Sequence, residues 1–169
     1  MHTMYQLDPL DARILMALDK DPNATILALA QTLGVARNTV HARLRRLSEG
    51  GVMGPVSQRL NPRALGYDLM AFVELSIRQG TSEDAQKALL KIPEIIEIYA
   101  TTGDSDLRVR LVAKGTSDLH RITNLILETP GLLRTTTSIS LLEAMPLRMS
   151  SLLQREADRG SRLRTDPRG

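Results

Sequence analysis

Apolar residues recur at two different spacings along this 169-residue chain. Up to about residue 50 the spacing is helical, and from about residue 69 alternating runs are interleaved with short helical ones. Asp8 followed by Pro9 predicts a helix start, because a carboxylate accepts from the free N–H groups there and proline needs no partner at the first position. Leu10, Ile14, Leu15 and Leu18 give this helix one apolar face, and Asp21-Pro22-Asn23 stops it. Thr25 is placed to cap a second helix, with Ile26, Leu29, Ala30 and Leu33 at helical spacing. Gly34 suits the left-handed residue that follows. A third helix is predicted from about Ala36 to Glu49, ended by Gly50-Gly51.

A short helix, a glycine turn and a further helix form the helix-turn-helix pattern. In the third helix Ala36, Val40, Leu44 and Leu47 share a stripe that should face the core. Asn38, Ala42 and Arg45 lie near the opposite side, flanked by Thr39, His41 and Arg46. These side chains suit the major groove of duplex DNA. Asn pairs two-fold with adenine, Arg with guanine, and Ala touches the thymine methyl. His41 reads equally as a base contact or as a plain exposed residue. Arg37 and Arg43 flank the core stripe and are expected at phosphates.

After the third helix, Val52 to Leu60 reads as an extended, wing-like segment, with Pro55 confining it to an edge or bulge. Residues 61–67 are expected to be a linker. Alternation over Leu69–Ile77 predicts a strand, Thr81 to Ile92 a helix, Ile95–Thr101 and Leu107–Ala113 two more strands. Ser117 is placed to cap a helix carrying Leu119, Ile122, Leu125 and Ile126, and Leu133–Leu142 is a final Thr-rich strand. The order βαββαβ is the ferredoxin-like split unit. The last strand is weakly charged on both sides, so we expect an uncharged free sheet face and sheet-to-sheet pairing of two copies. The fold class is thus α+β, a (winged) helix-turn-helix domain over residues 1–60 and a ferredoxin-like domain over 68–145. Residues 146–169 are expected as a basic tail, helical over 147–158 and disordered beyond Gly160.

Charge sharpens this division. Residues 1–64 carry eight basic and five acidic residues, 65–145 eight and eleven, and 146–169 six and three. From Pro22 to Ser48 there is no acidic residue, while Arg37, Arg43, Arg45 and Arg46 lie there. Such a stretch is a candidate footprint for phosphate. The chain has no cysteine, which excludes disulfides, thiolate metal sites and a cysteine nucleophile and fits a reducing, cytoplasmic setting. The aromatic residues Tyr5, Tyr67, Phe72 and Tyr99 are too few for a stacking platform for single strands. No apolar run suits a membrane helix, and Met1–Asp8 has no signal-peptide pattern. His2, His41 and His120 are scattered, and no nucleotide loop or nucleophile elbow occurs, so neither enzyme activity, cofactor nor metal is expected.

Leu7-Asp8-x-x-Asp11-x-x-Ile14-Leu15, Leu29-Ala30-x-x-Leu33-Gly34-Val35, Val40-x-x-Arg43-Leu44-x-x-Leu47 and Gly51-Val52-Met53 together resemble the N-terminus of the Lrp/AsnC (feast/famine) transcriptional regulators. Ala36 departs from the usual capping Ser, a loss typically worth about 1 kcal/mol. Thr102-Gly103-Asp104-Ser105-Asp106 resembles the family's effector loop, with Ser105 in place of an aromatic. The resemblance implies a sequence-specific regulator of double-stranded DNA. It also implies a small effector, an amino acid or derivative, and homodimers assembling to tetramers or octamers. Without the resemblance the loop reads as an acidic β-turn. Sirohaem decarboxylases share the two-domain layout, and Arg108, Arg110 and His120 suit that alternative. The acid-free stretch from Pro22 to Ser48, which covers the outward face of the third helix, speaks against it.

Overall fold

The computed structural model describes residues 5–162, with side chains described to residue 159. Two compact units form among the described residues, one from residues 5–58 together with 145–162, the other from residues 59–144.

In the first unit, helix α1 spans Pro9–Lys20, α2 Ile26–Leu33 and α3 Arg37–Glu49. Asp8 caps α1 by accepting from the N–H groups of Leu10 and Asp11, and Asp11 accepts from the N–H of Asp8, a reciprocal capping box. Thr25 caps α2, and Gly34 ends it at φ 67°, a conformation that only glycine adopts cheaply. Ala12, Ile14, Leu29, Ala30, Val40 and Leu47 are buried in this unit. Ala36 is exposed instead of joining the core stripe. It is the residue before the first helical turn, and no side chain caps α3 there.

The wing-like segment expected over Val52–Leu60 is not extended. Val56–Arg59 and Pro62–Leu65 form 3-10 turns, the second capped by the Asn61 side chain. Asn61 and Pro62 thereby start a local turn instead of an open linker. The C-terminal segment also differs from expectation. Helix α6 begins at Ser150, runs through Gly160 to Arg162, and packs on α1. Its Ala157 is buried, and burial of that face outweighs the glycine. The remaining residues of the expected disordered tail, 163–169, lie outside the described residues.

The second unit carries β1 Leu69–Ile77, α4 Ser82–Leu89, β2 Ile95–Ala100, β3 Leu107–Ala113, α5 Thr116–Leu127 and β4 Leu132–Ile139. The antiparallel sheet has the order β2-β3-β1-β4, the ferredoxin-like arrangement. Ala71, Val73, Leu75 and Ile77 of β1 and Leu107, Val109, Leu111 and Ala113 of β3 form the core with Ala85, Leu89, Ile122 and Ile126 of the helices. The opposite sheet face is charged, contrary to the expectation drawn from β4 alone. Glu74 pairs with Arg108 at 3.9 Å, Arg110 pairs with Glu97 at 3.4 Å, and the Arg108 guanidinium lies 5.5 Å from the Phe72 ring centre. The central strands supply these charges, while the edge strand β4 is Thr-rich.

Candidate nucleic-acid interface and ligand loop

Helix α3 presents its polar side away from Val40 and Leu47. Arg37, Asn38, His41, Ala42, Arg45 and Arg46 are exposed, and Thr39 is half-buried. Arg45 reaches Glu49 one turn later at 3.7 Å, with both side chains 68% exposed. A pair this exposed contributes little and yields readily to a stronger partner.

Arg43 behaves differently. Its guanidinium donates to Asp8 and, at 3.0 Å, to Asp11, whose side chain is fully buried. Bonding to Asp8 leads the causes that hold its pKa above the ordinary arginine value, against partial desolvation. At Asp8 desolvation acts upward, but the bonds from Arg43 and from the Asp11 and Leu10 N–H groups outweigh it and lower its pKa. Asp11 also accepts from the Tyr5 hydroxyl at 2.7 Å. Arg43 therefore clamps the middle of α3 to the start of α1. The sequence held one signal for this: an arginine beside the core stripe needs a carboxylate, and its own helix offers none at that height.

Arg46 lies one turn beyond Arg43, with its Cζ 4.9 Å from the centre of the Tyr5 ring. Tyr5 is absent from the expected site residues. With four aromatics scattered along the chain, nothing in the local spacing ties it to α3.

The loop between β2 and β3 is held by side chains of its own and of the neighbouring strands bonding to backbone groups. The Asp106 carboxylate accepts from the Ile77 N–H at 2.7 Å, and the Asp106 N–H donates to Leu75 O at 2.9 Å. Thr101 donates to Ser105 O at 2.9 Å, Ser76 to Asp104 O at 3.1 Å, and Arg134 to the same carbonyl at 3.4 Å. Gly103 adopts φ 111° with open space where a Cβ would stand. Thr102, Gly103 and Asp104 are exposed, and Ser105 is half-buried. Asp106 is thus a turn-building residue, while the Asp104 side chain is free of bonds among the described residues. Arg108 and Arg110, which suit the decarboxylase alternative, pair with Glu74 and Glu97. His120, on α5, lies 3.4 Å from Asn124.

A helix-turn-helix unit with a basic outward helix, joined to a ferredoxin-like domain with a glycine-acidic loop, defines a DNA-binding regulator with a sensor-type domain. Residues 7–48 match the AsnC-type helix-turn-helix domain, and residues 70–148 match the Lrp/AsnC ligand binding domain. The chain belongs to the Lrp/AsnC family of transcriptional regulators. It is 36% identical over 135 residues to the HTH-type transcriptional regulator FL11 of Pyrococcus horikoshii, covering 80% of this chain and 89% of that protein. Its fold is similar to that of Escherichia coli AsnC, with TM-score 0.76 and 26% identity over 86% of this chain and 99% of that one. A transcriptional regulator of Neisseria meningitidis, solved as a complex with L-Met, shares the fold at TM-score 0.74 and 24% identity, over 87% of this chain and 99% of that one. These likenesses lend no support to the decarboxylase alternative. No helix among the described residues is long and apolar enough to cross a membrane.

Proposed function

We propose that α3 enters the major groove, with Asn38, Ala42 and Arg45 at base edges and Arg37, Thr39, His41 and Arg46 along the phosphates. The observation that carries this reading is the outward face of α3, where exposed arginines stand without an acidic residue before Glu49. Paired helices in a two-fold dimer would read a pseudo-palindrome with half-sites about one helical turn apart.

The sensor is the loop 102–106. The left-handed backbone at Gly103 leaves room for a carboxylate to approach the N–H groups, and the free Asp104 carboxylate can accept from an ammonium. One small molecule carries both groups, so the effector is an amino acid or a close derivative. Copies of the second unit assemble as homodimers and then as tetramers or octamers. The protein acts by binding, without catalysing a reaction or holding a cofactor. A thermal-shift screen of the amino acids tests the sensor, because a binder at about 100 times its Kd adds about 2.7 kcal/mol. A hit that also alters DNA binding in the wild type but not in Asp104→Ala supports the loop. A hit that acts equally on both places the pocket elsewhere.

A further inference from the structure

Tyr5 precedes both α1 and the stretch matched by the helix-turn-helix model, which begins at residue 7. Its hydroxyl donates to the buried carboxylate of Asp11, which fixes the ring in place. Its body packs against the end of α3 so closely that a Cβ at Gly50 would stand 2.7 Å from Tyr5 Cβ and 2.9 Å from Arg46 O. Gly50 has φ −81°, which any residue adopts, so its backbone conformation does not require glycine. The close approach of Tyr5 does. On the ring seated there lies the Arg46 guanidinium, 4.9 Å from its centre.

At 100° per residue Arg46 sits roughly 60° from the middle of the outward face of α3, a flank that suits phosphate rather than a base edge. Among the described residues Arg43 is held by Asp8 and Asp11 and Arg45 pairs with Glu49, whereas Arg46 has an aromatic face for a partner. A ring satisfies the π-face of a guanidinium and leaves its N–H edge available. A carboxylate would occupy that edge.

We propose that Tyr5 is a positioning residue for DNA binding: locked by Asp11, its ring holds the Arg46 guanidinium at the flank of α3 with N–H groups ready for a backbone phosphate. The inference rests on the reading that α3 faces DNA. Stacking removes side-chain freedom before binding, so the contact costs less order when it forms.

The full-length protein is titrated with a random-sequence duplex of about 30 base pairs over a range of salt. Arg46→Ala should lower the slope of log K against log salt by about 0.9, the share of one phosphate. Tyr5→Leu should weaken binding by about two- to five-fold, the range of a stacked cation. Tyr5→Phe, which keeps the ring but loses its bond to Asp11, should fall between wild type and Tyr5→Leu. In the Arg46→Ala background Tyr5→Leu should have no further effect, which a merely structural role would not produce. Arg46→Lys keeps the charge without a planar group and should retain the slope while losing affinity, and it serves if Tyr5→Leu does not fold. An unchanged slope in Arg46→Ala, equal losses for Tyr5→Leu in both backgrounds, or wild-type affinity for Arg46→Lys overturns the proposal. Absence of any binding of wild type to the duplex overturns the underlying reading as well.

Discussion

Replacing Arg43 by alanine separates two roles that the sequence leaves indistinguishable. An arginine beside a recognition helix either neutralises a phosphate or holds the domain together. The Asp11 side chain is fully buried and Arg43 is 23% exposed. Arg43→Ala would leave a buried carboxylate with only neutral donors, Tyr5 and the Asp8 N–H. Removing one partner of such a pair typically costs about 3–5 kcal/mol. For a unit of 60–100 residues each kcal/mol moves Tm by about 4–8 °C, so the melting point should fall by about 12 °C or more. Calorimetry or circular dichroism reads this directly. Acidification should mimic part of the loss. Because the pKa of Asp8 is lowered in the folded state, its contribution is present above the unfolded value of 3.8 and is lost as pH falls through the lower folded value. Arg43→Ala should flatten that acid limb. Below its melting point the variant should keep the wild-type salt slope on random duplex DNA. A wild-type Tm combined with a slope lowered by about 0.9 would refute the clamp and return Arg43 to the phosphates.

Three further outcomes follow from the same geometry. Arg45→Ala should cost about 1–3 kcal/mol on a selected operator and little on random DNA, with Tm nearly unchanged, since its pair with Glu49 is exposed; equal losses on both DNAs in a filter-binding series would make it a phosphate contact. Asp106→Ala removes the acceptor of the Ile77 N–H and should destabilise the second unit by about 1–3 kcal/mol, whereas Asp104→Ala should leave chemical denaturation unchanged; matching denaturation curves for the two variants would contradict the division of labour in the loop. Ala157→Asp places a charge in the buried contact of α6 with α1 and should lower the Tm of the first unit by several degrees, and an unchanged melt would mean that α6 contributes nothing there.

The sequence by itself determined what is local. Asp8-Pro9 starts α1 because the cap acts on N–H groups two and three residues away, and Gly34 ends α2 because one backbone angle demands it. Val40 and Leu47 face inward, and Val73 alternates with Phe72 across the sheet, because side-chain direction follows the period of the element. The order βαββαβ and the exposed arginines of α3 come from the same periodicities. Tertiary structure decided everything that depends on which distant group arrives. Arg43 meets Asp8 across 35 positions, Asp106 meets the Ile77 N–H across 29, and the Tyr5 ring meets Arg46 from the other end of the unit. The alternation of β3 already sets Arg108 and Arg110 opposite its core residues, and strand pairing decides that Glu74 and Glu97 meet them there. Helix α6 forms through Gly160 because α1 offers a surface to cover. A charge or a polar atom takes its role from the partner that folding brings within about 3 Å, and residue type and spacing along the chain do not encode that partner.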